Sequence, residues 1–96
     1  MNDTEITSLR LRIEGSVQAV GYRNFMIEEA RKLGVDGWVR NRSDGSVEAL
    51  VSGGTKAVEA LVAACAQGPE GSRIKHIDMQ SVAAPSEKGF ARRPSV

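Results

Sequence analysis

Leu9, Leu11 and Ile13 alternate with Arg10, Arg12 and Glu14, so residues 7–14 read as a strand with one buried face. The period then changes. Phe25, Met26, Ala30 and Leu33 recur at helical spacing opposite Glu28, Glu29, Arg31 and Lys32, which predicts a helix from near Asn24 to a cap at Gly34. Residues 35–41, with Trp38 and Val39, return to strand. Arg42, Ser43, Asp44 and Gly45 form a hairpin turn, the Asp-Gly pair being suited to positive φ. Val47, Ala49 and Val51 alternate with Ser46, Glu48 and Leu50 in a third strand. Gly53, Gly54 and Thr55 break it and open a second helix, whose stripe is Val58, Leu61, Val62 and Cys65 and which ends at Gly68 and Pro69. Residues 72–82, with Ile74, Ile77 and Met79, form a fourth strand whose imperfect alternation leaves room for a bulge. After Ala83, Ala84 and Pro85, residues 89–93 read as a short fifth strand that the pattern does not place.

The order β-α-β-β-α-β, with a short C-terminal strand, describes an α+β split βαβ, or ferredoxin-like, sandwich. Its antiparallel sheet is expected in the order 4-1-3-2 with both helices on one face. The 96 residues suit one small domain spanning 1–96. Thirteen basic against 12 acidic residues give net charge +1, too balanced for a general electrostatic nucleic-acid binder. One cysteine, Cys65, excludes an intrachain disulfide, and no Cys/His cluster suggests a metal. The polar, acidic start is unlike a signal peptide, and no apolar run approaches the ~20 residues of a membrane span. A cytoplasmic location is the expectation.

The stretch Gly15, Ser16, Val17, Gln18, Ala19, Val20, Gly21, Tyr22, Arg23 joins the first strand to the first helix. Such a loop points N–H groups outward at the positive end of a helix dipole, and Arg23 adds a fixed positive fork that matches phosphate. It reads as an oxyanion cradle. Asn41 ends the second strand. In a split βαβ the first two strands run parallel with the third between them, so the topology can bring Arg23 and Asn41 to one sheet edge. Neither is a good general base or a nucleophile. Together they can bind an anion and orient a water, which suffices where the leaving group departs easily. A carboxylate, with an acid pKa of about 4, is such a group, so acyl phosphates fit and alkyl phosphate esters do not.

Gly15, Val17, Gln18, Val20, Tyr22 and Arg23, followed by Gly37, Trp38, Val39, Arg40, Asn41, Gly45, Val47 and Gly53, resemble the two signatures of the acylphosphatases. The resemblance covers nearly the whole chain, as a single acylphosphatase-like domain. It implies that Arg23 grips the phosphoryl group with the loop amides and that Asn41 holds the attacking water. It also implies release of carboxylate and phosphate without cofactor, metal or phosphoenzyme. The implied partner is a small acyl phosphate; no nucleic acid or membrane partner is expected, and a monomer is the expectation, although no residue pattern reads out the oligomeric state. One departure stands out. The family usually has glycine at Ala19, and a positive φ there would cost alanine roughly 1 kcal/mol.

Simpler readings compete at several positions. Arg23 can be an ordinary first-turn residue, and Asn41 a turn-former beside Ser43 and Asp44. Tyr22 reads as packing, Gln18 as a brace for the loop, His76 as a bystander on strand four and Cys65 as core. Trp38 is core or a strand-face aromatic. Arg92 and Arg93 are either a solvated end or an addition to the site. At the level of function, the alternatives are a phosphate or carbamoyl-phosphate binding module with weak turnover, and an RNA-binding domain. The second wants exposed aromatics on the central strands, which Tyr22, Phe25, Trp38 and Phe90 do not supply.

Overall fold

A computed structural model describes residues 5–96. The elements are β1 (Ile6–Ser16), α1 (Tyr22–Leu33), β2 (Asp36–Asn41), β3 (Val47–Gly54), α2 (Thr55–Gln67), β4 (Arg73–Ser81) and β5 (Phe90–Arg92). The sheet order is β4-β1-β3-β2-β5. β1 pairs antiparallel with β3 and β4, and β2 antiparallel with β3. This is the ferredoxin-like α+β arrangement the pattern predicts.

Strand alternation selects the buried face. Leu11, Ile13, Val39, Val47, Ala49 and Val51 are fully buried on the helix side, against Tyr22, Met26 and Ala30 of α1 and Val58, Leu61 and Cys65 of α2. Each large aliphatic side chain contributes roughly 1.5–3 kcal/mol on leaving water. α1 lies over β2 and β5, and α2 over β1, β3 and β4. No helix among the described residues is long and apolar enough to cross a membrane.

The structure differs from the sequence reading at four places. First, β1 runs to Ser16, so Gly15 and Ser16 belong to the strand rather than to a loop. Glu14 faces His76 while Gly15 faces Ile74, which leaves Lys75 as the extra residue of a bulge on β4. Gly15 has φ +133, and a Cβ there would lie 2.0 Å from the Arg73 carbonyl oxygen. Backbone crowding at the bulge is what requires this glycine. Second, α1 begins at Tyr22, not near Asn24. Third, Gly53 and Gly54 do not break β3; they stay paired with Thr7 and Ile6, and α2 follows directly.

The fourth difference matters most. The sheet is mixed, because β5 pairs parallel with β2, Val39 standing opposite Arg92. Residues 82–89 carry the chain from the β4 edge to the opposite edge. At ~3.3 Å per residue they cover four strand spacings of ~4.8 Å. β5 then ends at the same edge as β1 and β2.

Candidate active site

Three segments meet at that edge: the loop from β1 into α1, the last residue of β2 and the last residue of β5. They surround a cleft of about 220 Å³ lined by Val17, Ala19, Gly21, Tyr22 and Arg23 on one side, with Asn24, Asn41 and Arg92. The fold therefore joins Arg23 and Asn41 as the topology predicts.

The loop is pinned from behind. Val17 is buried in the core. Gln18 Nε2 donates to the carbonyl oxygens of Arg42 at 2.8 Å and Ser46 at 2.9 Å, clipping the loop to the β2–β3 hairpin. Tyr22, also buried, donates its hydroxyl to the Cys65 carbonyl at 2.7 Å. Burial, reinforced by Cys65, pushes the Tyr22 pKa up, so the phenol stays neutral. Burial likewise pushes the Cys65 thiol up to about 12. Both act as packing groups.

Ala19 (φ 63) and Gly21 (φ 76) are left-handed, and Ala19 is the one non-glycine with positive φ among the described residues. Left-handed residues interspersed in a loop turn successive N–H groups to one side, as in backbone anion nests. Gly21 is the N-cap of α1, which has no side-chain cap and no acidic residue in its first turn. The N–H groups of residues 17–23 take no part in the loop and cap hydrogen bonds of the backbone. The start of α1 therefore offers free donors and the positive end of its dipole to the cleft.

Arg23 sits half-buried in that turn. Burial, then the neighbouring Arg92 guanidinium, lowers its pKa below the ordinary arginine value. Arg92 donates to Asn24 Oδ1, which holds its guanidinium beside the start of α1. Asn41 Oδ1 is buried with no hydrogen-bond partner. An unpaired buried acceptor costs about 1–3 kcal/mol, so it persists where something external satisfies it. No carboxylate lines the cleft. Among the described residues no group of three or more His, Cys, Asp and Glu could hold a metal ion. His76 is exposed on β4 and pairs with Asp78 at 2.7 Å, outside the cleft.

Not every residue of the expected cradle reaches the cleft. Gly15 and Ser16 border a larger open depression of about 550 Å³ beside β4. There Arg12 is paired with Asp44 and Glu14, and Arg73 and Lys75 of β4 form the opposite wall. Gln18 braces the loop, and Val20 packs against the core. Asn24 was not singled out by sequence, and the ambiguity of Arg92 and Arg93 resolves in opposite senses. Arg92 shares the inward parity of buried Phe90 and reaches the cleft, whereas Arg93 stacks on Trp38 at 4.9 Å, with Arg40 on the same ring at 4.8 Å. That parity was legible in sequence only once Phe90 was known to be the anchor of β5.

The left-handed Ala19 has a measurable consequence. Ala19→Gly is expected to raise stability by about 1 kcal/mol, or roughly 4–8 °C in melting temperature for a chain of this size. Thermal unfolding followed by circular dichroism checks this; an unchanged or lower midpoint means that the loop does not hold Ala19 at positive φ.

Comparison with known proteins places these features in a family context. The family model described as Acylphosphatase matches residues 9–92. An acylphosphatase of Rhodospirillum rubrum is 48% identical over 89 residues, covering 93% of this chain and 98% of that protein. One from an Acidovorax species is 49% identical over 86 residues, covering 90% of this chain and 89% of that protein. The crystal structure of an acylphosphatase from Bacillus subtilis superposes with a TM-score of 0.86 at 32% identity, over 93% of this chain and 99% of that one.

Proposed function

This chain belongs to the acylphosphatase family and hydrolyses acyl phosphates, and we propose that it does so in the Arg23–Asn41 cleft. The observation that carries this assignment is the uncapped start of α1, with Arg23 in its first turn, facing Asn41 across one cleft. Loop N–H groups and the Arg23 guanidinium hold the phosphoryl oxygens. The unpartnered Asn41 Oδ1 accepts from a water and aims its oxygen at phosphorus, in line with the acyl oxygen.

Attack forms a P–O bond to water as the P–O bond to the acyl oxygen breaks. The electron pair leaves with the carboxylate. A water proton passes to a phosphoryl oxygen, giving carboxylate and dihydrogen phosphate from the acyl phosphate dianion and water. The cleft holds no titratable base, and a loose phosphoryl-transfer transition state needs little deprotonation of the nucleophile. It also holds no general acid. A carboxylate leaves without one, whereas an alkoxide does not. Catalysis is then positioning plus charge stabilisation. Arg92 supplies a second positive charge beside Arg23.

The same reading needs no metal, and every group in it comes from one chain, which supports a monomer acting on a small substrate. The balanced charge and the single, buried, free Cys65 support a cytoplasmic location. The test is phosphate release from acetyl phosphate and from an alkyl phosphate monoester, with magnesium and with excess chelator. Rapid turnover of acetyl phosphate alone, equal in both buffers, is the expected result. Loss in chelator that a divalent ion restores overturns the metal-free mechanism, and binding without turnover favours the weak-turnover binding module.

A further inference from the structure

Asn41 stands between two arginines that a single buried carboxylate holds. The Glu48 side chain on β3 is only 3% exposed. Its Oε1 accepts from Arg40 Nε at 2.8 Å and from Arg42 Nη1 at 3.1 Å, while Oε2 accepts from Arg10 Nε at 2.6 Å. One carboxylate thus ties β1, β3 and the end of β2 together on the face away from the helices. Burial raises its pKa, but hydrogen bonds from Arg40 and Arg10 outweigh that and hold it below the ordinary carboxyl value.

Asn41 is the last residue of β2, and the pairing of β2 with β5 stops at Val39. Strand alternation sends Arg40 and Arg42 to the open face and Asn41 to the cleft. Backbone bonds hold this strand end on both edges, Asn41 standing opposite Val47 of β3 and its carbonyl accepting from the Val96 N–H at 3.0 Å, which fixes the chain and leaves the pitch of the carboxamide to the neighbouring side chains. Gripping the side chains before and after Asn41 through one oxygen fixes the pleat from which the carboxamide projects. The link extends to the loop, because Gln18 donates to the Arg42 carbonyl.

We propose that Glu48 is a positioning residue of the hydrolysis: by holding Arg40 and Arg42 it aims the Asn41 carboxamide at the reacting water. This rests on the reading of Asn41 as the group that holds that water. An arrangement serving stability alone has no reason to act through Asn41, and the two roles separate kinetically.

The experiment compares wild type, Glu48→Gln, Asn41→Ala and the double variant on acetyl phosphate, with competitive inhibition by inorganic phosphate. Glu48→Gln is expected to lower kcat by about 10- to 100-fold, as small misplacements of catalytic groups do. KM and phosphate inhibition stay within about twofold, and the double variant is no slower than Asn41→Ala, since the two act as one unit. Asp78→Asn, an exposed carboxylate on the same face, leaves kcat unchanged. Losses that multiply in the double variant, or weakened phosphate inhibition with normal kcat, overturn the proposal. A normal kcat in Asn41→Ala overturns the reading of Asn41 instead. Removing a buried charge from its partners can unfold a chain, so Arg40→Gln provides a second variant. It should show the same selective kcat loss, and full activity in folded Arg40→Gln overturns the proposal.

Discussion

Arg23→Ala is expected to lower acyl phosphate turnover by about 10³-fold or more, the scale on which arginines stabilise phosphoryl-transfer transition states. Arg23 is the half-buried one of the two cleft guanidiniums, and it projects from the helix turn whose N–H groups are free. Charge on the transferring phosphoryl group spreads over its three equatorial oxygens, so a fork fixed beside them acts most strongly in the transition state. Lysine keeps the charge but not the planar pair of donors, so Arg23→Lys should recover only part of the loss. Arg92 is exposed and already gives one donor to Asn24, so Arg92→Ala should cost much less than Arg23→Ala. Steady-state kinetics on acetyl phosphate, with folding checked by circular dichroism, decide the matter. Near-normal turnover in folded Arg23→Ala would falsify the mechanism.

Asn41→Ala is expected to keep phosphate binding while turnover falls by about 10²- to 10³-fold, the cost of losing one oriented hydrogen-bonding group in a catalytic site. The split follows from the proposed mechanism, in which loop amides and Arg23 hold the anion while the Asn41 Oδ1, buried with no protein partner, serves the water. Asn41→Asp separates this from a turn-forming role. Aspartate suits turns as well as asparagine does, so a purely conformational role predicts a mild effect. In the cleft an added negative charge faces a phosphate and should weaken both phosphate binding and turnover severely. Competitive inhibition by inorganic phosphate, measured beside kcat for both variants, reads the two effects apart. Wild-type kinetics in both would show that Asn41 only shapes the hairpin.

The order of elements, the central strand order and the meeting of Arg23 with Asn41 at one edge were all legible in the sequence. Each rests on local periodicity or on a topology that periodicity implies. Leu9, Leu11 and Ile13 fix which face of β1 is buried, and a split βαβ then sends the ends of β1 and β2 to one edge. What stayed hidden depends on contacts remote in sequence. Gly15 looked like part of an anion cradle, but the Arg73 carbonyl across a bulge is what excludes a side chain there. Arg92 could not be placed because three residues of β5 carry too little pattern to choose an edge or a direction; its parallel pairing with β2 does both. The role of Glu48 was invisible for the same reason. Alternation marked it as polar and outward on β3, yet among the described residues it is a buried charged group, because arginines from β1, β2 and the turn after β2 close over it. Sequence thus determined the order of elements and the meeting of Arg23 and Asn41 at one sheet edge, through short-range patterning. Only the tertiary structure decided which distant charges meet them, because side chains several strands apart become neighbours through sheet register, and no local period records that.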